Sequence, residues 1–334
     1  MKLVLTYKDF SSIPGVSHIG LGVTALNAAK VLGQAGVNVV TWPVFDGYVL
    51  RDKLSKDPDV THVVMLAPWI DTPFLRSLTL AFPAVQFTVT CHSNVGFLQA
   101  DKYAMKLVRE QIELECDRRN FRISGNCQTY CRWITSAYNA PCVFLPNLYF
   151  VGQPPSSKPL FNGGTLRLGI FGATRQLKNI GTATAAAVVM AGSLNVDTEI
   201  WVSGGREEGG KGILDSCREM IADLPRVRMV ESFWQSWPRF RQTAGHMDLM
   251  LQPSFTESFN NVTADGISQG VASAVSSAIE WVPKDWQADA DDPVDLAETG
   301  LRLLRDRKAP ARGLNALLSY NREGLRSWLA YLDS

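Results

Sequence analysis

Twice along this chain, short apolar runs alternate with helical patterns, and few folds accept that order. In the first series, strand-like runs at Lys2 to Thr6, Asn38 to Trp42, His62 to Leu66, Gln86 to Thr90 and Phe121 to Ser124 are separated by helix-like stretches such as Val23 to Gln34. The second opens at Leu166 with LRLGIFGAT and continues through a small-residue helix from Thr182 to Gly192, a strand from Glu199 to Ser203 and another from Leu249 to Gln252. A strand followed by a helix returns the chain to begin the next strand in the same direction, so the alternation predicts parallel, doubly wound sheets. Within LNAAKVLGQAG, Leu26, Ala29 and Leu32 fall at helical spacing, Gly36 closes the helix, and VNVVTW follows as a buried strand.

Between the two series lies VGQPPSSKPLFNGG, residues 151 to 164, whose Pro, Gly and Ser content is that of a linker. The predicted organisation is therefore one α/β domain over 1–152, a second over 165–312, and a terminal amphipathic helix over 313–334. That helix presents Leu317, Leu325, Trp328 and Leu332 for packing. A length of 334 residues agrees with two domains, at a prior of roughly 100 to 200 residues each.

The net charge of +1 provides no global field for nucleic acid or an anionic membrane. Six cysteines, Cys91, Cys116, Cys127, Cys131, Cys142 and Cys217, include no CxxC pair, which suits reduced thiols and a cytoplasmic chain. The start MKLVLTYKDF reads as a strand rather than a signal peptide, and no apolar run reaches the ~18 residues of a membrane span, so any membrane contact is peripheral.

Chemistry concentrates in QPSFTESFNNVTADGISQG, residues 252 to 270. A strand ends, a turn with Pro253 and Ser254 follows, and a helix is expected through Ala264 to Gly270. Glu257 on the loop and Asp265 in the helix would both face a ligand at the helix N-terminus. The backbone amides of Phe259, Asn260, Asn261 and Val262 would donate to a phosphate there, aided by the helix dipole. Carboxylates suit sugar and ribose hydroxyls as acceptors. The same residues also suit a helix whose acids merely favour its first turns. A second segment, IFGATRQLKNIG, takes a strand through Gly172 into a turn with Arg175 and Lys178, at the strand end where open α/β sheets bind ligands. Two cations there would neutralise a diphosphate without a metal, or form a solvated basic helix start.

The first segment resembles the E-x7-E signature of retaining glycosyltransferases of family four, with Asp265 in place of the second Glu. The resemblance implies that Glu257 faces the donor sugar and Asp265 the nucleotide ribose. Gly270 matches the glycine that ends the signature, whereas Val271 and Ala272 replace the usual Pro-Val. The second segment is similar to the family's G-R-x4-K pair: Lys178 matches, but Ala173 stands at the usual Arg position and Arg175 two residues later. The family also implies an active-site role for His92, in FTVTCHSNVGF, and a glycine-rich loop against donor and acceptor for Gly20 and Gly22, in SSIPGVSHIGLGV. Pro146 and Asn147 match its Pro-Asn element, with Leu148 for the following Gly. A dehydrogenase fingerprint over Gly20, Gly22 and Ala25 would have to open directly after the first strand, and a long loop intervenes.

The resemblance implies the GT-B type of fold: two Rossmann-like domains facing each other across a cleft, with a C-terminal helix crossing back to the first. It implies transfer of a sugar from a UDP- or GDP-sugar to an acceptor hydroxyl, with retention and no cofactor. No metal site is expected, and Asp289, Asp291 and Asp292 read as a loop before a helix from Val294 to Leu304, with Asp292 as its cap. The acceptor is a saccharide, free or lipid-linked, or a hydroxymethylated base in DNA. Trp234, Trp237 and Tyr149 are candidate stacking surfaces. Two other readings stay open: a nucleotide-sugar-binding protein without turnover, and a nucleotide-sugar epimerase of the same fold.

Overall fold

The computed structural model describes residues 1–9, 19–99, 103–152, 161–205, 207–233 and 235–334. The chain divides into two compact units, Met1–Phe150 with Asn321–Ser334, and Val151–Tyr320.

The first unit runs β1 (Leu3–Lys8), α1 (Ile19–Gln34), β2 (Val39–Val44), α2 (Gly47–Lys56), β3 (His62–Met65), α3 (Thr72–Ala81), β4 (Gln86–Cys91), α4 (Val95–Leu98), α5 (Ala104–Asp117), β5 (Phe121–Gly125), α6 (Gln128–Tyr138) and β6 (Val143–Phe144). The six strands form one parallel sheet in the order β2-β1-β3-β4-β5-β6. Its strands read as continuous apolar runs because both faces are covered. One face packs Val63, Phe87, Val89 and Phe121 beneath the helices, and the other packs Leu3, Leu5, Val64 and Leu66. Helix α1 lies on this second face through Ala25, Ala28 and Leu32, three small or apolar residues at helical spacing that are at most 2% exposed. Leu26, expected on that face, is turned out and 44% exposed. Asn27 is buried instead, 1% exposed, its amide donating to the Val23 carbonyl at 2.9 Å, so polarity alone does not mark the outer face of this run.

The second unit runs β7 (Leu166–Ile170), α7 (Ile180–Leu194), β8 (Thr198–Ser203), α8 (Ile213–Ile221), β9 (Val227–Ser232), α9 (Trp237–Gly245), β10 (Leu249–Gln252), α10 (Asn261–Ser268), β11 (Ser273–Ser276), β12 (Gln287–Ala288), α11 (Pro293–Arg305) and α12 (Ala309–Leu332). Its strands order as β12-β11-β10-β7-β8-β9, again all parallel. From β7 the chain steps outward to β8 and β9, then jumps to the other side of β7 to make β10. That reversal is the Rossmann topology, and it opens a crevice beyond the C-terminal ends of β7 and β10.

Helix α11 starts as its sequence predicts: the Asp292 carboxylate accepts from the amides of Val294 at 2.8 Å and Asp295 at 3.1 Å. The terminal helix begins earlier than read, at Ala309, and its last residues belong to the first unit. There the buried Trp328 indole donates to the Pro146 carbonyl at 2.8 Å, and Asn321 brackets the Tyr149 backbone with bonds of 2.9 and 2.7 Å. A side chain on Gly324 would meet Pro146 and Leu148 at 3.0 Å, so its lack of one permits this close approach. The six cysteines are free thiols. Among the described residues no helix is long and apolar enough to cross a membrane.

Candidate functional site

The loops that follow β7 and β10 meet at the reversal point of the second sheet, and side-chain amides tie them together. β7 ends in the buried Phe171 and then Gly172, whose φ of +128° is a conformation that residues with a side chain rarely adopt. The Gly172 amide donates to Ser203 Oγ at the end of β8, at 3.1 Å. Across the reversal, Gln252 at the end of β10 donates to the Phe171 carbonyl at 3.2 Å. Asn179, itself left-handed at φ +56°, donates to the Pro253 carbonyl at 3.1 Å, and the Phe255 amide donates to the Leu177 carbonyl at 3.0 Å.

This lacing brings Lys178 and Glu257 together. Nζ of Lys178 donates to Glu257 Oε1 at 2.6 Å, with the two side chains 18% and 13% exposed. Asn260 donates to the same carboxylate oxygen at 3.1 Å and to Gln252 Oε1 at 3.3 Å. Its Oδ1 caps α10 by accepting from the Thr263 amide at 2.9 Å. The helix therefore begins at Asn261, three residues before the expected Ala264. Asn260 serves as its cap, and Asn261 and Val262 form its first turn at the positive end of the dipole, beside the Lys178–Glu257 pair. A cation, a carboxylate and a helix N-terminus at one strand end can hold a phosphate and a hydroxyl side by side.

Other residues expected at the donor have different surroundings. Arg175, expected at the diphosphate, pairs with Glu208. Asp265 is 3% exposed, and its Oδ1 accepts from the Trp237 indole N–H at 2.8 Å. Arg241 lies 5.2 Å from the centre of the Trp237 ring and donates to Ser268 Oγ at 3.1 Å, so the Asp265 region is a buried structural network. The Phe259 side chain, as distinct from the backbone amide expected to meet a phosphate, is core, its ring 5.3 Å from those of both Trp281 and Tyr320. Gly20 and Gly22 lie inside α1 rather than in a loop before it. Tyr149, offered for stacking, is 1% exposed, whereas Trp237 is half-buried. Trp234 and the start of the SSIPGVSHIGLGV segment, residues 11–18, lie outside the described residues. Among those described, no group of three or more His, Cys, Asp or Glu side chains is placed to hold a metal ion.

Beside the crevice, a cavity of about 360 Å³ is lined by Glu207, Asp215 and Glu231, with Arg218 already paired to the latter two. Its carboxylates make it the wrong place for a phosphate.

In the first unit, His92 directly follows β4. Its Nδ1 faces Asn126 Nδ2 at 3.2 Å, and Asn126 Nδ2 also donates to Asn147 Oδ1 at 3.1 Å. Sequence reasoning reached Asn147 through its neighbour Pro146 but missed Asn126, which has only its place after β5 to mark it. Burial pushes the His92 imidazole from 6.5 down to about 4. The unfolded chain therefore takes up a proton that the folded ring refuses. The His92 contribution to stability is complete above about pH 6.5 and is lost as pH falls toward 4. Its ceiling is about 3 kcal/mol, reduced by the ring's partial exposure to solvent. In an NMR titration, the imidazole signal absent from His92→Gln is expected to stay neutral until about pH 4. A midpoint near 6.5 would contradict the burial of this ring.

No family model matches this sequence, and no curated protein matches it by sequence. Solved structures do resemble it. Sucrose-phosphate synthase from Thermosynechococcus elongatus superposes with a TM-score of 0.69 at 12% identity, covering 99% of this chain and 98% of its own. HepE from Anabaena, in a complex with UDP, gives 0.64 at 12% identity over 99% of this chain and 100% of its own. TarM from S. aureus, in a complex that contains UDP, gives 0.65 at 14% identity over 86% of this chain, which spans only 58% of TarM. Likeness at this identity defines the class of fold: two Rossmann-like α/β units of the kind found in GT-B glycosyltransferases.

Proposed function

We propose that this chain is a glycosyltransferase that moves a sugar from a nucleoside diphosphate sugar to an acceptor hydroxyl, with retention and without a metal ion. The observation that carries the reading is the Lys178–Glu257 pair, joined at 2.6 Å at the reversal point of the second sheet and beside the N-terminus of α10. In this reading the donor diphosphate displaces Glu257 from Lys178 and takes the ammonium and the first-turn amides of Asn261 and Val262 as its donors. Glu257, released, accepts hydrogen bonds from the sugar hydroxyls. The acceptor oxygen bonds to the anomeric carbon as the bond from that carbon to the phosphate oxygen breaks. The nucleoside diphosphate leaves with the electron pair and takes the hydroxyl proton.

UDP in the complexes of HepE and TarM supports a uridine nucleotide as the first donor to try, with a GDP-sugar next. A saccharide is the acceptor class that fits this chemistry. The neutral net charge disfavours DNA, whose phosphates demand a basic surface.

A thermal-shift panel of UDP, GDP, ADP and their sugars tests the binding half of the proposal. Ligand at about 100 times its dissociation constant stabilises by about 2.7 kcal/mol. One nucleotide is expected to raise the midpoint clearly. A flat response to the whole panel would remove the donor site, and binding without transfer to any saccharide would favour a non-catalytic binding protein.

A further inference from the structure

The carbonyl of Phe259 stands just ahead of α10, whose own bonding begins one residue later, with the Asn260 carbonyl accepting from the Ala264 amide at 3.3 Å. A buried carbonyl outside the helix needs a partner from elsewhere. The indole N–H of Trp281, in the segment between β11 and β12, donates to it at 2.5 Å. The ring of the same Trp281 stacks on the Phe259 ring, with 5.3 Å between centroids and 22° between planes. One side chain thus holds a single residue by both its ring and its carbonyl, and the peptide after Phe259 cannot turn without breaking that grip. Trp281 is itself anchored: Ile279 and Val282 beside it are buried, and Gln287 donates to the Ile279 carbonyl at 3.1 Å. The peptide so held leads into Asn260, whose backbone is left-handed at φ +67°, a conformation that surrounding contacts must maintain. The work of Asn260 at the site depends on it. Its amide hydrogens go to Glu257 Oε1 at 3.1 Å and Gln252 Oε1 at 3.3 Å, and its oxygen caps the Thr263 amide at 2.9 Å.

We propose that Trp281 is a positioning residue: by holding the peptide between Phe259 and Asn260 it fixes Asn260, and through Asn260 it keeps the Glu257 carboxylate in place when a donor diphosphate takes Lys178. Before the donor binds, the ammonium and the Asn260 amide both act on Glu257 Oε1. Once the phosphate draws the ammonium away, the Asn260 bond continues to aim the carboxylate at the sugar. A displacement of about 1 Å at such a group is enough to cost a large part of its effect on the transition state, whereas binding of the nucleotide tolerates it. Trp281 touches neither Lys178 nor the carboxylate in this scheme and acts only through the backbone that it grips. The consequence for transfer rests on the glycosyltransferase reading, whereas the hold on Asn260 does not.

The test is native-state hydrogen exchange, read by NMR on the full-length protein, in Trp281→Phe, which keeps an aromatic ring and removes the N–H. The Thr263 amide, capped by Asn260, is expected to exchange on the order of tenfold faster in the variant, while β7 and β8 keep their wild-type protection. Unchanged exchange at Thr263 overturns the proposal, and so does equal acceleration throughout the second unit, which would make Trp281 a general core residue. If the variant does not fold, the wild type still decides. Its Trp281 indole proton, assigned from the ring and backbone spins, is expected to exchange at least on the order of tenfold slower than a solvated indole, and a solvated rate overturns the hold. With a UDP-sugar as donor, kcat of Trp281→Phe is expected to fall on the order of tenfold while UDP itself binds within about threefold of wild type. An unchanged kcat alongside a deprotected Thr263 would show that Glu257 is not oriented through Trp281. Absence of transfer by the wild type from every donor would instead sink the glycosyltransferase reading, and hydrogen exchange at Thr263 would still decide whether Trp281 holds Asn260.

Discussion

Lys178→Ala is expected to abolish nucleotide-induced stabilisation and to lower kcat/KM by on the order of 100- to 1,000-fold, the usual loss when one preorganised donor to a developing negative charge is removed. Lys178 is a cation placed at the crevice, while Arg175 pairs with Glu208, and Arg218 with Asp215 and Glu231. Removing the ammonium also takes from the Glu257 carboxylate, 13% exposed, the cation that pairs with it at 2.6 Å. A destabilisation of roughly 1–3 kcal/mol is expected from that alone. Lys178→Arg separates the two effects, because it keeps the charge and the pairing while changing the reach. Nucleotide binding that survives in Lys178→Ala, measured by calorimetry, would place the phosphate elsewhere.

Glu257→Gln is expected to behave in the opposite way toward the nucleotide alone. The ion pair at 2.6 Å competes with any phosphate for the same ammonium, so neutralising Glu257 frees Lys178. The free nucleoside diphosphate should then bind as tightly as in the wild type, or several-fold more tightly, given that one charge-assisted bond is worth about 1.5–3 kcal/mol before competition. Transfer should fall on the order of 100-fold or more, because the carboxylate no longer accepts from the sugar as the bond breaks. Equilibrium titration with the nucleotide and steady-state kinetics with its sugar, run side by side, read the two quantities. Loss of nucleotide affinity together with unchanged turnover would invert the assigned roles of these residues.

Much of the scaffold was legible because buried parallel strands are continuous apolar runs, and the linker composition at 151–164 stands apart from both neighbours. Lys178 and Glu257 were legible as residue types at strand ends, where a doubly wound sheet binds its ligands. That they pair with each other was not, since 79 residues separate them and the reversal from β9 to β10 brings them together. Asp265 shows the limit from the other side. Its spacing from Glu257 suggested a shared ligand, yet a helix turns a residue in its second turn toward whatever packs alongside, and here that is the Trp237 indole on α9. The small polar loop 258–261 likewise concealed a side-chain cap, so the helix began earlier than its apolar spacing suggested. The glycines at 20 and 22 read as a loop because glycine is rare inside helices, whereas α1 carries both in its first turns; a side chain on Gly22 would stand 3.3 Å from Tyr7. Asn126 carried no periodic signal at all, and its partners lie 34 and 21 residues away in the chain.

The central claim is tested most directly by release of the nucleoside diphosphate from a panel of UDP- and GDP-sugars, with saccharide acceptors, in the presence of a strong chelator. Release from one donor, undiminished by the chelator and lost in Lys178→Ala, is the predicted result. Release that requires a divalent ion, or that persists in Lys178→Ala, would contradict the account.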